Sequence, residues 1–375
     1  MSWAIWITGP PGSGKSTIAR AVEAELRARG RPVERLELDE VRKTVTPEPR
    51  YSDDEREIVY RALGYVARLL VGWGTPVLVD ATAHRRRWRD ALRAAVPRFV
   101  EIQLDCPLEV RRERERARPR GHAPPGIYAR AGRPGATVPG VDVPYERAVA
   151  PELAIDTSAE PVAKSVARIV ELAERLEPAA VAAGAGMNPG AEPGCAIWIT
   201  GRPGGDTSAL ARRVAERLHA SGAPACVLAP ASVEIELLAG RPAGAAEHDM
   251  VHRVVAYGAK RLTEAGVSVI VDAPASRSAW REAARGMIPA FAEIRLVGPA
   301  ATRLEGEGGP GVTADDEASA DAELTVHADD GDAERVAERV LLVIQRLAAT
   351  GSGPRRRPVG GPGQRASRGD AGGPA

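Results

Sequence analysis

Short apolar runs alternate with amphipathic stretches along most of this chain. Trp3–Thr8 is a β-rich run with no polar face, as expected of a parallel strand covered on both sides. Thr17–Arg29 follows with Ile18, Val22 and Leu26 at helical spacing. The pattern then predicts strands over Val33–Leu38, Pro76–Asp80, Phe99–Leu104 and Ala154–Asp156. It predicts helices over Glu55–Gly72, Arg85–Ala95, Leu108–Ala117 and Glu160–Leu176. Strand–helix alternation of this kind implies the α/β class, with a doubly wound parallel sheet flanked by helices.

The pattern is written twice. Ala4-Ile-Trp-Ile-Thr-Gly9 returns as Ala196-Ile-Trp-Ile-Thr-Gly201, an offset of 192 residues. The same offset aligns Asp80 with Asp272, Trp88-Arg89 with Trp280-Arg281, Phe99 with Phe291 and Pro107 with Pro299. A register held over about 100 residues marks a tandem duplicate. We expect one domain over 1–177, a flexible Ala/Gly/Pro-rich linker over 178–194, a second, degenerate domain over 195–349 and a disordered tail over 350–375. Duplicated units often pack as their homodimeric ancestor did, so an intramolecular pseudo-dimer is one expectation.

Composition narrows the class of partner. With 44% hydrophobic and 27% charged residues the chain reads as globular. A net charge of +1 gives no reason to expect nucleic acid or a membrane as partner. No apolar run approaches the roughly 18 residues of a membrane span, and no signal peptide is recognisable. Cys106, Cys195 and Cys226 offer neither a disulfide framework nor a metal cluster, which fits a cytoplasmic location.

Only four lysines occur, and one of them completes a motif. Gly9-Pro10-Pro11-Gly12-Ser13-Gly14-Lys15-Ser16 fits G-x-x-x-x-G-K-[ST] between a buried strand and a helix, with Thr17 following. Such a loop turns successive backbone N–H groups and a helix N-terminus toward phosphate oxygens. Lys15 is therefore expected to reach the β- and γ-phosphates of ATP, and Ser16 to ligate Mg²⁺. The second copy reads Gly201-Arg-Pro-Gly-Gly-Asp206-Thr207-Ser208, with a carboxylate for the last glycine and threonine for the lysine. That copy is expected not to catalyse.

Two carboxylates follow predicted strands. Asp39 stands at the end of the second, where it reads either as a catalytic carboxylate or as a helix N-cap. Its counterpart in the second copy is Ala231, which favours the first reading. Asp80 follows Val77-Leu-Val and reads as a water-mediated Mg²⁺ ligand or as a structural cap. Arg42, Arg56, Arg61, Arg85, Arg86, Arg87 and Arg89 cluster after strands two and three, where planar forks suit a phosphate- or sulfate-bearing substrate. Arg111–Val149 is a long basic insertion of the sort that covers a phosphate site.

Residues 3–176 resemble the adenylylsulfate kinase family. The resemblance rests on Trp6–Thr17, Leu38-Asp-Glu-Val-Arg42, Tyr51-Ser-Asp-Asp-Glu-Arg56 and Asp105-Cys-Pro-Leu-Glu-Val110. Gly126-Ile-Tyr128, Gly140-Val-Asp-Val-Pro-Tyr-Glu146 and Pro151–Thr157 follow in the family's order. It implies a P-loop NTPase fold and transfer of phosphate from ATP to the 3′-hydroxyl of adenylylsulfate, a step of sulfate assimilation. It further implies Asp39 as catalytic carboxylate, Arg42, Arg56 and Arg61 near the phosphosulfate, and Tyr51 stacked on the adenine. Arg86 is expected at the acceptor as well. The chain departs from the family pattern at Val59, at Ala83-His-Arg-Arg86 and around Val138-Pro-Gly140. Two other readings therefore stay open: a kinase for a different small hydroxyl acceptor, and a non-catalytic ATP-binding regulator.

Overall fold

The computed structural model describes residues 2–117, 126–176, 192–201, 207–274, 277–297, 321–327 and 333–350. Most of the expected linker and all but the first residue of the expected tail lie outside these, as do 118–125 of the insertion and 202–206 of the second loop.

The first copy runs β1 (Ala4–Thr8), α1 (Lys15–Ala28), β2 (Glu34–Glu37), α2 (Leu38–Val45), α3 (Asp53–Gly72) and β3 (Val77–Asp80). It continues with α4 (Arg86–Ala95), β4 (Phe99–Asp105), α5 (Leu108–Ala117), α6 (Ile127–Arg130), β5 (Leu153–Asp156) and α7 (Val162–Leu176). The second runs β6 (Ala196–Gly201), α8 (Thr207–Ala220), β7 (Ala225–Leu228), α9 (Pro230–Leu238), α10 (Ala245–Glu264) and β8 (Ser268–Asp272). It closes with α11 (Ser278–Met287), β9 (Phe291–Val297), β10 (Leu324–His327) and α12 (Ala333–Thr350).

Each copy builds a five-stranded parallel sheet, ordered β2-β3-β1-β4-β5 and, in equivalent positions, β7-β8-β6-β9-β10. Strand alternation explains the layers. Ile5 and Ile7 face a core with Ile18, Val22 and Leu26 of α1 and Ile169 of α7. Their neighbours Ala4 and Trp6 point the other way, toward Leu63 and Val66 of α3. The duplication extends to single contacts. The buried pair Arg89–Glu101 (2.6 Å) recurs as Arg281–Glu293 (3.1 Å). The Trp88 indole donates to Glu57 (2.8 Å), and Trp280 donates to Asp249 (2.8 Å).

The two copies share one apolar cluster. Val41, Val45, Val59, Leu63 and Val66 of the first belong to it together with Leu237, Val254 and Tyr257 of the second. Helix α3 packs on α10 and α9, while α10 packs on α2 as well. Because α9 and α10 are the equivalents of α2 and α3, the packing is reciprocal. At its centre Val66 approaches Gly258, its own equivalent; a Cβ built there would lie 3.8 Å from Val66 Cγ2.

Two elements are additions to the sequence reading. Helices α2 and α6 are eight and four residues long, too short for a helical period to register in the sequence. Asp39 accordingly does not end a strand: β2 stops at Glu37 and Asp39 lies in the first turn of α2. Among the described residues no helix is long and apolar enough to cross a membrane.

Candidate active site

A cavity of about 970 Å³ opens at the carboxyl ends of the first sheet's strands. Gly12, Gly14, Lys15, Ser16 and Thr17 line one side of it, and Asp39, Arg42, Tyr51 and Arg56 line another. The loop between β1 and α1 needs its glycines. At Gly9, with φ of 156°, a Cβ would lie 2.7 Å from the Leu104 carbonyl oxygen. At Gly12, with φ of 76°, it would lie 2.8 Å from the Arg111 carbonyl oxygen. Neither clash can be relieved by rotating a side chain.

Several groups hold the loop in shape. The Ser13 amide donates to the Pro10 carbonyl (3.2 Å), and so does Lys15 Nζ (3.1 Å), folding the ammonium over the loop. The Tyr128 hydroxyl donates to the Pro11 carbonyl (2.6 Å) and accepts from Arg111 Nη1 (2.8 Å). Thr157 Oγ1 donates to the Ser13 carbonyl (3.1 Å), while Arg114 clasps Thr157 through its hydroxyl (2.9 Å) and carbonyl (2.6 Å). The Tyr145 hydroxyl sits between Thr8 Oγ1 (2.9 Å) and Gln103 Oε1 (3.1 Å). The described parts of the insertion, 111–117 and 126–149, thus brace the loop from above.

Asp80 is buried at the end of β3, and its Oδ2 has no hydrogen-bond partner among the described residues. Burial pushes its carboxyl up to about 6, opposed by the Lys15 charge and by a hydrogen bond from Ser16. A hydroxyl and a carboxylate with an unused buried oxygen are the hard oxygen donors that Mg²⁺ takes. The residues fit the ion. The second copy keeps this pair: Ser208 Oγ donates to Asp272 Oδ2 (2.5 Å), and Asp272 Oδ1 again lacks a partner among the described residues.

The far wall is cationic. Arg42 pairs with Glu55 (3.1 Å), which also accepts from the Arg50 amide (2.6 Å), and its guanidinium lies 5.1 Å from the Tyr51 ring centroid. Tyr51 adopts a left-handed φ of 56°, uncommon for an aromatic residue. Arg56 is buried and donates through Nη2 to both the Thr137 carbonyl (3.3 Å) and its hydroxyl. Among the described residues its Nη1 has no hydrogen-bond partner, only an ion pair at 4.0 Å with the exposed Asp53. Burial, and then the Arg42 charge, lower its pKa from the usual arginine value. Such a guanidinium offers an unused donor to an anion.

Two expected acceptor residues lie elsewhere. Arg61 projects from α3 toward the second copy, bonded to Glu57 (2.9 Å) and to the Glu236 carbonyl (3.2 Å). Arg86 lies outside the cavity lining, with its amide bonded to Glu146 (2.6 Å) and its side chain near Asp90 (3.6 Å). Helix geometry explains Arg61: it stands five positions after Arg56, and so on a different face of α3. Arg50, Arg130 and His84 line the cavity without having been singled out. His84 is buried beside the edge of Trp88 and held down to about 4 by burial, then by Arg56 and Arg85.

The family description "Adenylylsulphate kinase" matches residues 1–156 and again 193–304. The chain belongs to the adenylylsulphate kinase family. It is therefore a P-loop kinase, an ATP-dependent phosphotransferase acting on a hydroxyl group. A probable adenylyl-sulfate kinase from Archaeoglobus fulgidus is 38% identical over 160 residues, which cover 42% of this chain and 97% of that one. A probable bifunctional SAT/APS kinase from Sorangium cellulosum is 36% identical over 173 residues, covering 46% of this chain but only 28% of that longer one. Among solved structures, the Mycobacterium tuberculosis APS kinase in complex with AMPPNP and APS is 29% identical, covering 46% of this chain and 98% of that one at a TM-score of 0.41. The Gly-Ile-Tyr and Pro-Tyr-Glu segments on which the family resemblance leaned supply Tyr128 and Tyr145, the two hydroxyls that brace the P-loop and β1.

Proposed function

We propose that the first copy transfers the γ-phosphate of ATP to the 3′-hydroxyl of adenylylsulfate, a step of sulfate assimilation. One observation carries the acceptor: Arg42 and the under-used Arg56 guanidinium face the same cavity as the P-loop lysine. A site of that make-up accepts two anionic ligands at once. The family membership and the relatives' names support the choice of adenylylsulfate among anionic alcohols.

In this reading the backbone of Gly9–Thr17 binds the ATP phosphates and Lys15 offsets charge developing on the transferred group. Asp39 accepts the proton of the attacking hydroxyl. Arg42 and Arg56 orient the acceptor's anionic end, with Tyr51 offering its ring to the base. Ser16 and Asp80 would hold Mg²⁺, which when bound would neutralise phosphate charge. The second copy, with Thr207 in place of the lysine and Ala231 in place of Asp39, is a pseudokinase packed on the first as an intramolecular pseudo-dimer.

A different acceptor is the second reading, favoured by the buried His84 at the cavity wall in the segment that departs most from the family. Incubation of the full chain with Mg-ATP and adenylylsulfate decides between them. Formation of the 3′-phosphorylated product, lost on Lys15→Ala, supports the proposal. ATP turnover stimulated by another alcohol but not by adenylylsulfate would sink it.

A further inference from the structure

The β2–α2 segment carries Asp39 and Arg42, and helix α10 of the second copy holds it at both ends. At the start, Arg261 pairs with Glu34, the first residue of β2, and its Nη2 also lies 3.4 Å from the Arg35 carbonyl. Both charged side chains of that pair are only 12% exposed. About two turns earlier on α10, Arg253 donates to the carbonyl of Val45, the last residue of α2 (3.4 Å). Between these points Val41 and Val45 enter the apolar cluster that holds Val254 and Tyr257.

Within its own copy helix α2 packs on α3 and is tied to it by the Arg42–Glu55 ion pair, but its intrinsic stability is low. It is eight residues long, has no side-chain hydrogen bond at its N-cap, and is far below the length at which an isolated helix persists. A cation at its C-terminus satisfies a terminal carbonyl and complements the helix dipole. None of the residues that make this grip belongs to the second copy's own phosphate loop. Thr207, which stands where the first copy has its lysine, takes no part in the grip.

We propose that the degenerate copy is a positioning domain: α10 fixes the β2–α2 segment so that Asp39 and Arg42 face the cavity, with Arg253 as a positioning residue. The catalytic half of this inference rests on the roles given above to Asp39 and Arg42; the structural half does not. The test uses the full chain with Arg253→Ala and, separately, the double replacement Glu34→Leu with Arg261→Met. The double replacement removes both buried charges together and leaves neither unpaired. Amide hydrogen exchange is read over residues 38–45 and, as an internal reference, over α1.

Arg253→Ala is expected to speed exchange across α2 by about three- to tenfold while α1 keeps its protection. Arg253→Lys, which keeps the cation, restores most of it. With adenylylsulfate as acceptor, kcat falls by about tenfold or more at an ATP KM within about twofold of the parent, as misplaced catalytic groups require. Unchanged α2 exchange in both variants overturns the proposal, and so does equal acceleration in α1 and α2. If the parent protein does not phosphorylate adenylylsulfate, the acceptor reading fails and the exchange data alone decide the positioning role.

Discussion

Arg61 and Arg253 are 192 residues apart and occupy the same position in the two copies, and each donates to a carbonyl near the end of a short helix in the other copy. Arg61 reaches the Glu236 carbonyl of α9, and Arg253 the Val45 carbonyl of α2. This reciprocity is what a twofold-related pair of domains requires. It also explains why Arg61 is not in the acceptor cavity. Its guanidinium is committed to the interface, and of the arginines expected at the acceptor, Arg42 and Arg56 line the cavity while Arg61 and Arg86 do not.

Arg56 and Arg61 should therefore separate in kinetics. Arg56→Ala is expected to raise the acceptor KM by about 10- to 100-fold, the scale of a lost charge-assisted hydrogen bond, with little change for ATP. Arg61→Ala should leave the acceptor KM within about twofold. Steady-state kinetics with acceptor varied at saturating Mg-ATP make the comparison, and equal effects would return Arg61 to the substrate.

Loss of the lysine should matter in one copy only. Lys15→Ala is expected to lower kcat by about 100-fold or more, the scale set by removing a group that stabilises transition-state charge. Thr207→Ala should leave turnover unchanged. A large loss in the Thr207 variant would show that the second copy takes part in the chemistry.

Tyr128→Phe removes one hydroxyl and, with it, the hydrogen bond to the Pro11 carbonyl and the one from Arg111. At about 0.5–1.5 kcal/mol per bond, the two make roughly 1–3 kcal/mol, so the ATP KM should rise roughly five- to 150-fold while the acceptor KM holds. Titration with a fluorescent ATP analogue gives the same comparison without turnover. An unaltered affinity would mean that the loop keeps its shape without the insertion.

His84 sets an acid limit on stability. Its pKa is depressed to about 4 in the fold, from an ordinary value of 6.5, mainly by burial, with Arg56 and Arg85 adding to it and Asp53 and Glu146 opposing. The folded state thus binds fewer protons than the unfolded chain between those values, so stability present above pH 6.5 is lost as pH falls toward 4. Thermal melts across this window should show the decline, and His84→Gln should flatten part of it. A parallel decline in the variant would assign the acid limit to other groups.

Much of the site is legible in the sequence. A buried strand, a glycine-rich loop and a helix in that order dictate where phosphates lie, because glycine is the residue that tolerates the backbone at Gly9 and Gly12. The constant 192-residue register likewise revealed the duplication, and the buried Arg89–Glu101 and Arg281–Glu293 pairs repeat it in space. Helix α2 is not legible there because eight residues carry too little periodicity, so Asp39 reads as a strand end from sequence alone.

The sequence by itself determined the class of fold, the phosphate loop and the asymmetry between the copies, since these depend on residue type at fixed local spacing. It could not determine which arginine faces which partner. That depends on the helix face each side chain occupies and on what packs there, a relation between segments distant in the chain. Only the tertiary structure decided that Arg56 turns to the cavity and Arg61 to the second copy, and that α10 of the second copy grips the segment carrying Asp39.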